Sequence, residues 1–153
     1  MILQLDHIAL PAFDATATLR FYTEILGLPL VDALSGDDWE GRPWLMMIFG
    51  LGGGGTIVLC ALRGAQRPES RDLPREVPHY AIAAASIEQL RDWKERLRTN
   101  SIGFSEEDHG TQRSIYFEDP NGHVLEITAP ASERTGAANE PAAAVVRAWL
   151  DAH

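Results

Sequence analysis

Apolar and polar positions alternate through residues 2–10, the period of a strand. Asp14 then caps a helix: Ala15, Leu19, Tyr22 and Leu26 recur at helical spacing, and Gly27 supplies the stop. Residues 29–34 read as a strand, and 35–43, with Gly36, Gly41 and Pro43, as a loop. Residues 44–49 and 56–62 read as two strands joined by a glycine-rich hairpin. The polar stretch 63–76, with Pro68 and Pro74, reads as a linker. The programme then restarts. A strand at 77–83 precedes a helix capped by Ser86 and carrying Ile87, Leu90, Trp93 and Leu97. A short strand at 102–105 and a hairpin of 114–117 and 123–128 follow, the hairpin turning at Asp119-Pro120-Asn121-Gly122. Beyond the loop-like 131–139, Asn139, Glu140 and Pro141 open a last helix with Val145, Val146, Trp149 and Leu150 on one face.

The two halves are an internal repeat. His7 to His79 is an offset of 72, as is Asp14 to Ser86, while Gly55 to Gly122 is an offset of 67. Each half reads strand, helix, three strands, and neither is large enough to cover its own sheet, so the halves are expected to pair. The expected fold class is α+β: two paired βαβββ modules and a C-terminal helix. Residues 1–130 form one domain (module one 1–62, linker 63–76, module two 77–130), and residues 131–153 form a tail with a helix.

Strand side chains alternate between faces. His7 lies with Leu5 and Ala9, His79 with Val77 and Ala81, and Glu126 with Val124 and Thr128, in each case on the face away from the helix. One histidine on a strand is ordinarily a hydrogen-bonded core residue. Two at equivalent repeat positions, with an inward carboxylate that is costly to bury without a cation, point to a divalent metal. The repeat places Leu59 opposite Glu126 as a fourth position that cannot bind metal, which leaves a two-histidine, one-carboxylate set with open positions. Fe(II) or Mn(II) suits it, with Zn, Ni or Co possible. By the same parity Met47, Phe49, Ile57 and Leu59 form an apolar, substrate-binding wall of a cleft, and Cys60 faces away from it. The competing reading of that wall is core between the halves.

The chain has 153 residues, 45% of them apolar and 23% charged, as in ordinary globular proteins. A net charge of −9 argues against nucleic acid or anionic membrane as partner. One cysteine permits no internal disulfide, and no stretch approaches the ~20 apolar residues of a membrane helix, so a cytoplasmic protein is expected. The glycines at 52–55 are followed by a strand and by no Lys-Ser/Thr, which excludes a phosphate loop.

Asp6-His7-Ile8-Ala9-Leu10, Pro78-His79-Tyr80-Ala81 and the run from Tyr116 through Asp119-Pro120-Asn121-Gly122 to Glu126, set in the repeated module, resemble the vicinal oxygen chelate superfamily. That group includes glyoxalase I, type I extradiol dioxygenases and the fosfomycin and bleomycin resistance proteins. The resemblance covers residues 1 to about 130 and implies paired modules around a U-shaped cleft. It also implies one divalent metal per site on His7, His79 and Glu126, chelating adjacent oxygens of a small, partly apolar substrate. The stretch from His109 through Tyr116 to Glu126 is similar to the extradiol signature, which implies catalytic roles for Tyr116 and His109. No histidine occurs between residues 8 and 78, where extradiol enzymes carry an acid/base, and Leu59 departs from the four-ligand glyoxalase I site. An enzyme of extradiol-dioxygenase or glyoxalase type is the leading expectation. A small-molecule binding or resistance protein is the alternative, and a homodimer is expected from the family.

Overall fold

The computed structural model describes residues 4–68, 73–74, 76–131 and 141–152. β1 (His7–Ala12) leads into α1 (Ala15–Arg20), whose N-cap Asp14 accepts from the Ala17 N–H at 2.9 Å. The helix continues as a π-helical turn, Phe21–Ile25. Its wider winding lets two consecutive aromatic residues, Phe21 and Tyr22, both enter the core. β2 (Leu30–Trp39), β3 (Arg42–Gly50) and β4 (Thr56–Leu62) complete the first module. The second comprises β5 (His79–Ala83), α2 (Ile87–Thr99), β6 (Phe104–Asp108), β7 (Gln112–Glu118) and β8 (Val124–Pro130), and α3 (Ala142–Ala152) follows. The expected opening of that last helix at Asn139 and Glu140 lies outside the described residues.

Each module forms its own four-stranded mixed sheet, in the orders β1-β4-β3-β2 and β5-β8-β7-β6. First and last strands of each module pair in parallel, the others antiparallel. This is the paired βαβββ arrangement with a C-terminal helix that the repeat predicts. Residues 35–39, expected in a loop, belong instead to β2: Ser35 pairs with Leu45 and Gly36 with Trp44. Gly36 reads as a breaker but is a strand position that must stay bare, because a Cβ there would lie 2.7 Å from the Trp44 indole nitrogen. The last turn before β3 uses Glu40 and Gly41, both at positive φ.

The helix-side faces of both sheets contribute to one hydrophobic core. Phe21 meets Phe117 of the second module at 6.4 Å between ring centres, and Tyr22 stacks on Phe49 of its own sheet at 5.0 Å. The Asp119–Gly122 turn is the polar clasp of the junction. Asn121 Oδ1 accepts from the Phe13 N–H at 2.8 Å, the Tyr22 hydroxyl donates to Asp119 at 3.2 Å, and His123 Nε2 donates to the Pro11 carbonyl at 2.7 Å. The opposite sheet faces are open: His7, Ala9 and Pro11 on β1, and His79, Ala81 and Ala83 on β5, are all exposed.

Register corrects the parity expected for the first module. Paired residues on neighbouring strands share a face. His7 pairs with Thr56 and Ala9 with Val58, just as His79 pairs with Val124 and Ala81 with Glu126. The two hairpins are therefore related by an offset of 68, and Gly54 and Gly122, at φ 96° and 81°, are the equivalent glycines. An alignment on Gly55 slips by one residue, and one residue reverses every face. Met47, Phe49, Ile57 and Leu59 consequently sit on the helix side, each 3% exposed or less, within the core. Cys60 moves to the open face, paired with Pro11 and Met46, and partial burial pushes its thiol pKa up. Val58, not Leu59, is the counterpart of Glu126. Like Leu59, it has no metal-binding group.

Candidate functional site

The site grows from the open face of the second sheet. β5 and β8 run in parallel, so His79 and Glu126 project to the same side from neighbouring strands, one rung apart along the pair. His79 Nε2 lies 3.0 Å from Glu126 Oε2. The other ring nitrogen, Nδ1, lies 2.7 Å from the Glu76 carbonyl. A carbonyl oxygen only accepts, so Nδ1 carries a proton and, in the neutral ring, Nε2 carries the lone pair. A lone pair and a carboxylate oxygen at 3.0 Å repel unless a positive charge joins them, either a second proton on the ring or a cation held by both. Glu126 is buried at 6% exposure, which sharpens that requirement.

His7 is prepared in the same way on the first sheet. Its Nδ1 lies 2.8 Å from Asp6 Oδ2, which leaves Nε2 facing out, and the side chain is 53% exposed. It stands apart from the other two: among the described residues of one chain, no three His, Cys, Asp or Glu side chains gather as a metal site. The structure thus brings together two of the three expected ligands, His79 and Glu126.

Tyr116 and His109 stand where the sequence places them, beside that pair. Tyr116 pairs with Glu126 across β7 and β8, and its ring meets that of His79 edge-on at 5.5 Å. The phenol oxygen lies 3.0 Å from His109 Nε2, and His109 in turn lies 3.6 Å from Glu107. Burial, and then the Glu126 carboxylate, push the Tyr116 pKa up, so the phenol keeps its proton at neutral pH and remains a donor. Further along the face, Ser114 donates to Thr128 at 3.1 Å and Thr128 to Gln112 at 2.8 Å. Sequence reasoning missed these hydroxyls, although Ser114 and Thr128 share the parity of Tyr116 and Glu126.

A family model matches residues 4–127, described as the Glyoxalase/Bleomycin resistance protein/Dioxygenase superfamily. The chain belongs to this superfamily. Within it, the chain is 26% identical to a glutathione transferase FosA of Serratia marcescens, over 83% of this chain and 81% of that one. It is 28% identical to a metallothiol transferase FosB of Staphylococcus saprophyticus, over 83% of this chain and 77% of that one. Among solved structures, it resembles the fosfomycin resistance protein FosX of Listeria monocytogenes, with a TM-score of 0.62 and 27% identity over 89% of this chain and all (100%) of that one. A mutant of that FosX, in complex with Mn(II) and 1S,2S-dihydroxypropylphosphonic acid, matches with a TM-score of 0.61 and 23% identity, over 88% of this chain and 98% of that one. No helix among the described residues of this superfamily member is long and apolar enough to cross a membrane.

Proposed function

We propose that this protein is a metal-dependent enzyme of the superfamily, acting on a small substrate that chelates one divalent cation through two adjacent oxygens. The observation that carries this reading is the His79–Glu126 pair: two acceptor atoms 3.0 Å apart, with the ring's other nitrogen held by the Glu76 carbonyl. That separation suits two neighbouring ligands of one cation at about 2.1 Å each. The Mn(II) of the FosX complex supports the metal, with Fe(II) equally suited to the donor set and Zn, Ni or Co possible.

His7 is proposed as the third ligand, supplied by a second copy of the chain. The two open faces lie on the far sides of a core shared by the two sheets, and His7 is prepared but apart. A homodimer that sets the first sheet of one copy against the second sheet of the other would bring His7 to His79 and Glu126. The apolar wall of the cleft is then Met46, Ile48 and Val58, which share the His7 face.

A bound divalent cation supplies Lewis-acid polarisation of the chelated oxygens. Tyr116 donates a hydrogen bond to a substrate oxygen beside the metal ligands, and His109 holds the phenol in place from behind. Val58, in place of a carboxylate, keeps coordination positions free for substrate. The names of the relatives, a glutathione transferase, a metallothiol transferase and a fosfomycin resistance protein, favour a second reading, thiol transfer or fosfomycin resistance. Against it, Lys94 is held by Glu106 at 2.6 Å and Arg113 by Asp108, and both lie on the helix side of the second sheet.

The test is metal content. Protein purified without added metal and then offered Fe(II) or Mn(II) should bind one ion per chain. His79→Ala and Glu126→Ala should each weaken binding by more than about a hundredfold, beyond the usual effect of losing an outer-sphere partner. Unchanged metal content in both variants refutes the assignment.

A further inference from the structure

β6 and β7 are joined by a tight turn. The His109 N–H donates to the Gln112 carbonyl at 3.0 Å, and the Gly110 N–H donates to Asp108 at 2.8 Å, with Gly110 at φ 77°. These bonds fix the backbone of His109 just beyond the end of β6. Glu107 pairs with Ser114, so both share the open face with Tyr116, two residues along β7. His109, two residues after Glu107, turns its ring to the same side: Nε2 lies 3.0 Å from the Tyr116 oxygen and 3.6 Å from Glu107 Oε2.

Carboxylate, imidazole and phenol therefore stand in line, and the line ends at the metal-ligand pair. Tyr116 is the rung partner of Glu126 and meets the His79 ring edge-on. Glu107 and His109 are exposed, whereas Tyr116 and Glu126 are buried, so the line runs from solvent inward. The charged groups that face His109 are Glu107 from β6 and, across Tyr116, Glu126 from β8; Asp108 and Arg113 pair with each other on the opposite face of the sheet. A hydroxyl that chelates a cation gives up its proton, and imidazole is the side chain that takes one near neutral pH. His7 and His79 serve as ligands on the reading above, and His123 lies on the helix side, bonded to the Pro11 carbonyl. Among the described histidines, His109 is the one left to take it.

We propose, on the reading that His79 and Glu126 hold a chelating metal, that Tyr116, His109 and Glu107 form a proton relay between the substrate and solvent. The substrate hydroxyl gives its proton to the Tyr116 oxygen as the Tyr116 proton passes to His109 Nε2. The tyrosine ends neutral and donates to the substrate oxygen, now anionic. His109 ends as the imidazolium, and nothing is oxidised or reduced. Glu107 is a positioning residue: its carboxylate faces Nε2, where the proton arrives, and stabilises the imidazolium. The Glu107–His109 pair is solvent-exposed and contributes little to the stability of the fold, so its removal leaves the structure intact. The substrate class is one that chelates through at least one ionisable hydroxyl.

The experiment is calorimetric titration of the full-length, Mn(II)-loaded protein with 4-nitrocatechol, a chelating diol. It is run at about pH 8, above the ordinary histidine range, in two buffers of different ionisation enthalpy, which counts the protons released per probe bound. The wild type should release at least about half a proton fewer than His109→Gln, because His109 keeps the proton that the probe loses. Tyr116→Phe should match His109→Gln, since the relay is cut one step earlier. Glu107→Gln should fall between, with Mn(II) uptake unchanged. Proton release by the wild type that equals or exceeds that of His109→Gln overturns the proposal while leaving the metal site standing. So does failure of the loaded protein to bind the probe. Release from Glu107→Gln that matches the wild type removes Glu107 from the relay. Mn(II) uptake measured first, without probe, separates the two levels: if no metal binds, the underlying reading fails and this proposal falls with it.

Discussion

Glu126 and Val58 occupy the same rung of their two sheets: Glu126 pairs with Ala81 of β5, and Val58 pairs with Ala9 of β1. One module therefore carries a histidine and a carboxylate, and the other a histidine and an aliphatic side chain. Val58→Glu should place a second carboxylate on the His7 face and raise metal affinity by about tenfold or more. It should also weaken substrate binding by filling an open position. Leu59→Glu should do neither. Leu59 is fully buried in the core, and an unpaired carboxylate there should cost about 3–5 kcal/mol of stability. Metal titration and denaturant unfolding of the two variants distinguish the neighbouring positions; the reverse pattern would show that the register is wrong.

Tyr116 stands against the His79–Glu126 pair. Tyr116→Phe should keep the metal and the fold, and should lower turnover of any chelated substrate by about ten- to a hundredfold through loss of one hydrogen-bond donor. His109→Ala should have a smaller effect of the same kind, because His109 acts through the Tyr116 hydroxyl at 3.0 Å. Metal content and kcat measured on the same samples check this. Loss of metal in Tyr116→Phe would place Tyr116 among the groups that hold the site together.

The clasp between the modules predicts an alkaline transition. Burial and the Asp119 carboxylate push the Tyr22 phenol well above the usual tyrosine range. An unfolded chain releases that proton near pH 10, and the folded chain keeps it, so the folded state binds more protons above this pH. Stability is fully present below about pH 10 and falls as pH rises beyond it. Tyr22→Phe should start about 1 kcal/mol less stable, having lost the bond to Asp119, but should lose less on going to higher pH. Urea unfolding at neutral and at alkaline pH measures both. Equal alkaline slopes in the two proteins would contradict this role for Tyr22.

Much of the architecture was legible because each element announces itself locally. Asp14 and Ser86 cap their helices as read, and the paired modules follow from the repeat. The meeting of His79 and Glu126 on one face of the second sheet was legible because strand parity is local and no insertion intervenes. The apolar wall was misplaced for a physical reason. Its face depended on a hairpin alignment, and four consecutive glycines, residues 52–55, offer several equally plausible turn positions. Only the pairing of Thr56 with His7 settles which is right. The extension of β2 through Gly36 was hidden because a bare position under a tryptophan looks like a turn signal. The π-helical turn at Phe21 has no sequence signature, since its cause is the simultaneous burial of Phe21 against Phe117 and of Tyr22 against Phe49.

The central claim is a metal held by His79 and Glu126 of one chain and His7 of another, and subunit mixing tests it most directly. His7→Ala and His79→Ala should each lack tight Mn(II) binding when pure. After co-unfolding and refolding at equal concentrations, mixed dimers would pair the intact His7 of one variant with the intact His79 and Glu126 of the other. Metal binding should then return to about a quarter of the wild-type site count, since half the dimers are mixed and each has one complete site. No recovery on mixing, or undiminished metal binding by pure His7→Ala, would contradict the account.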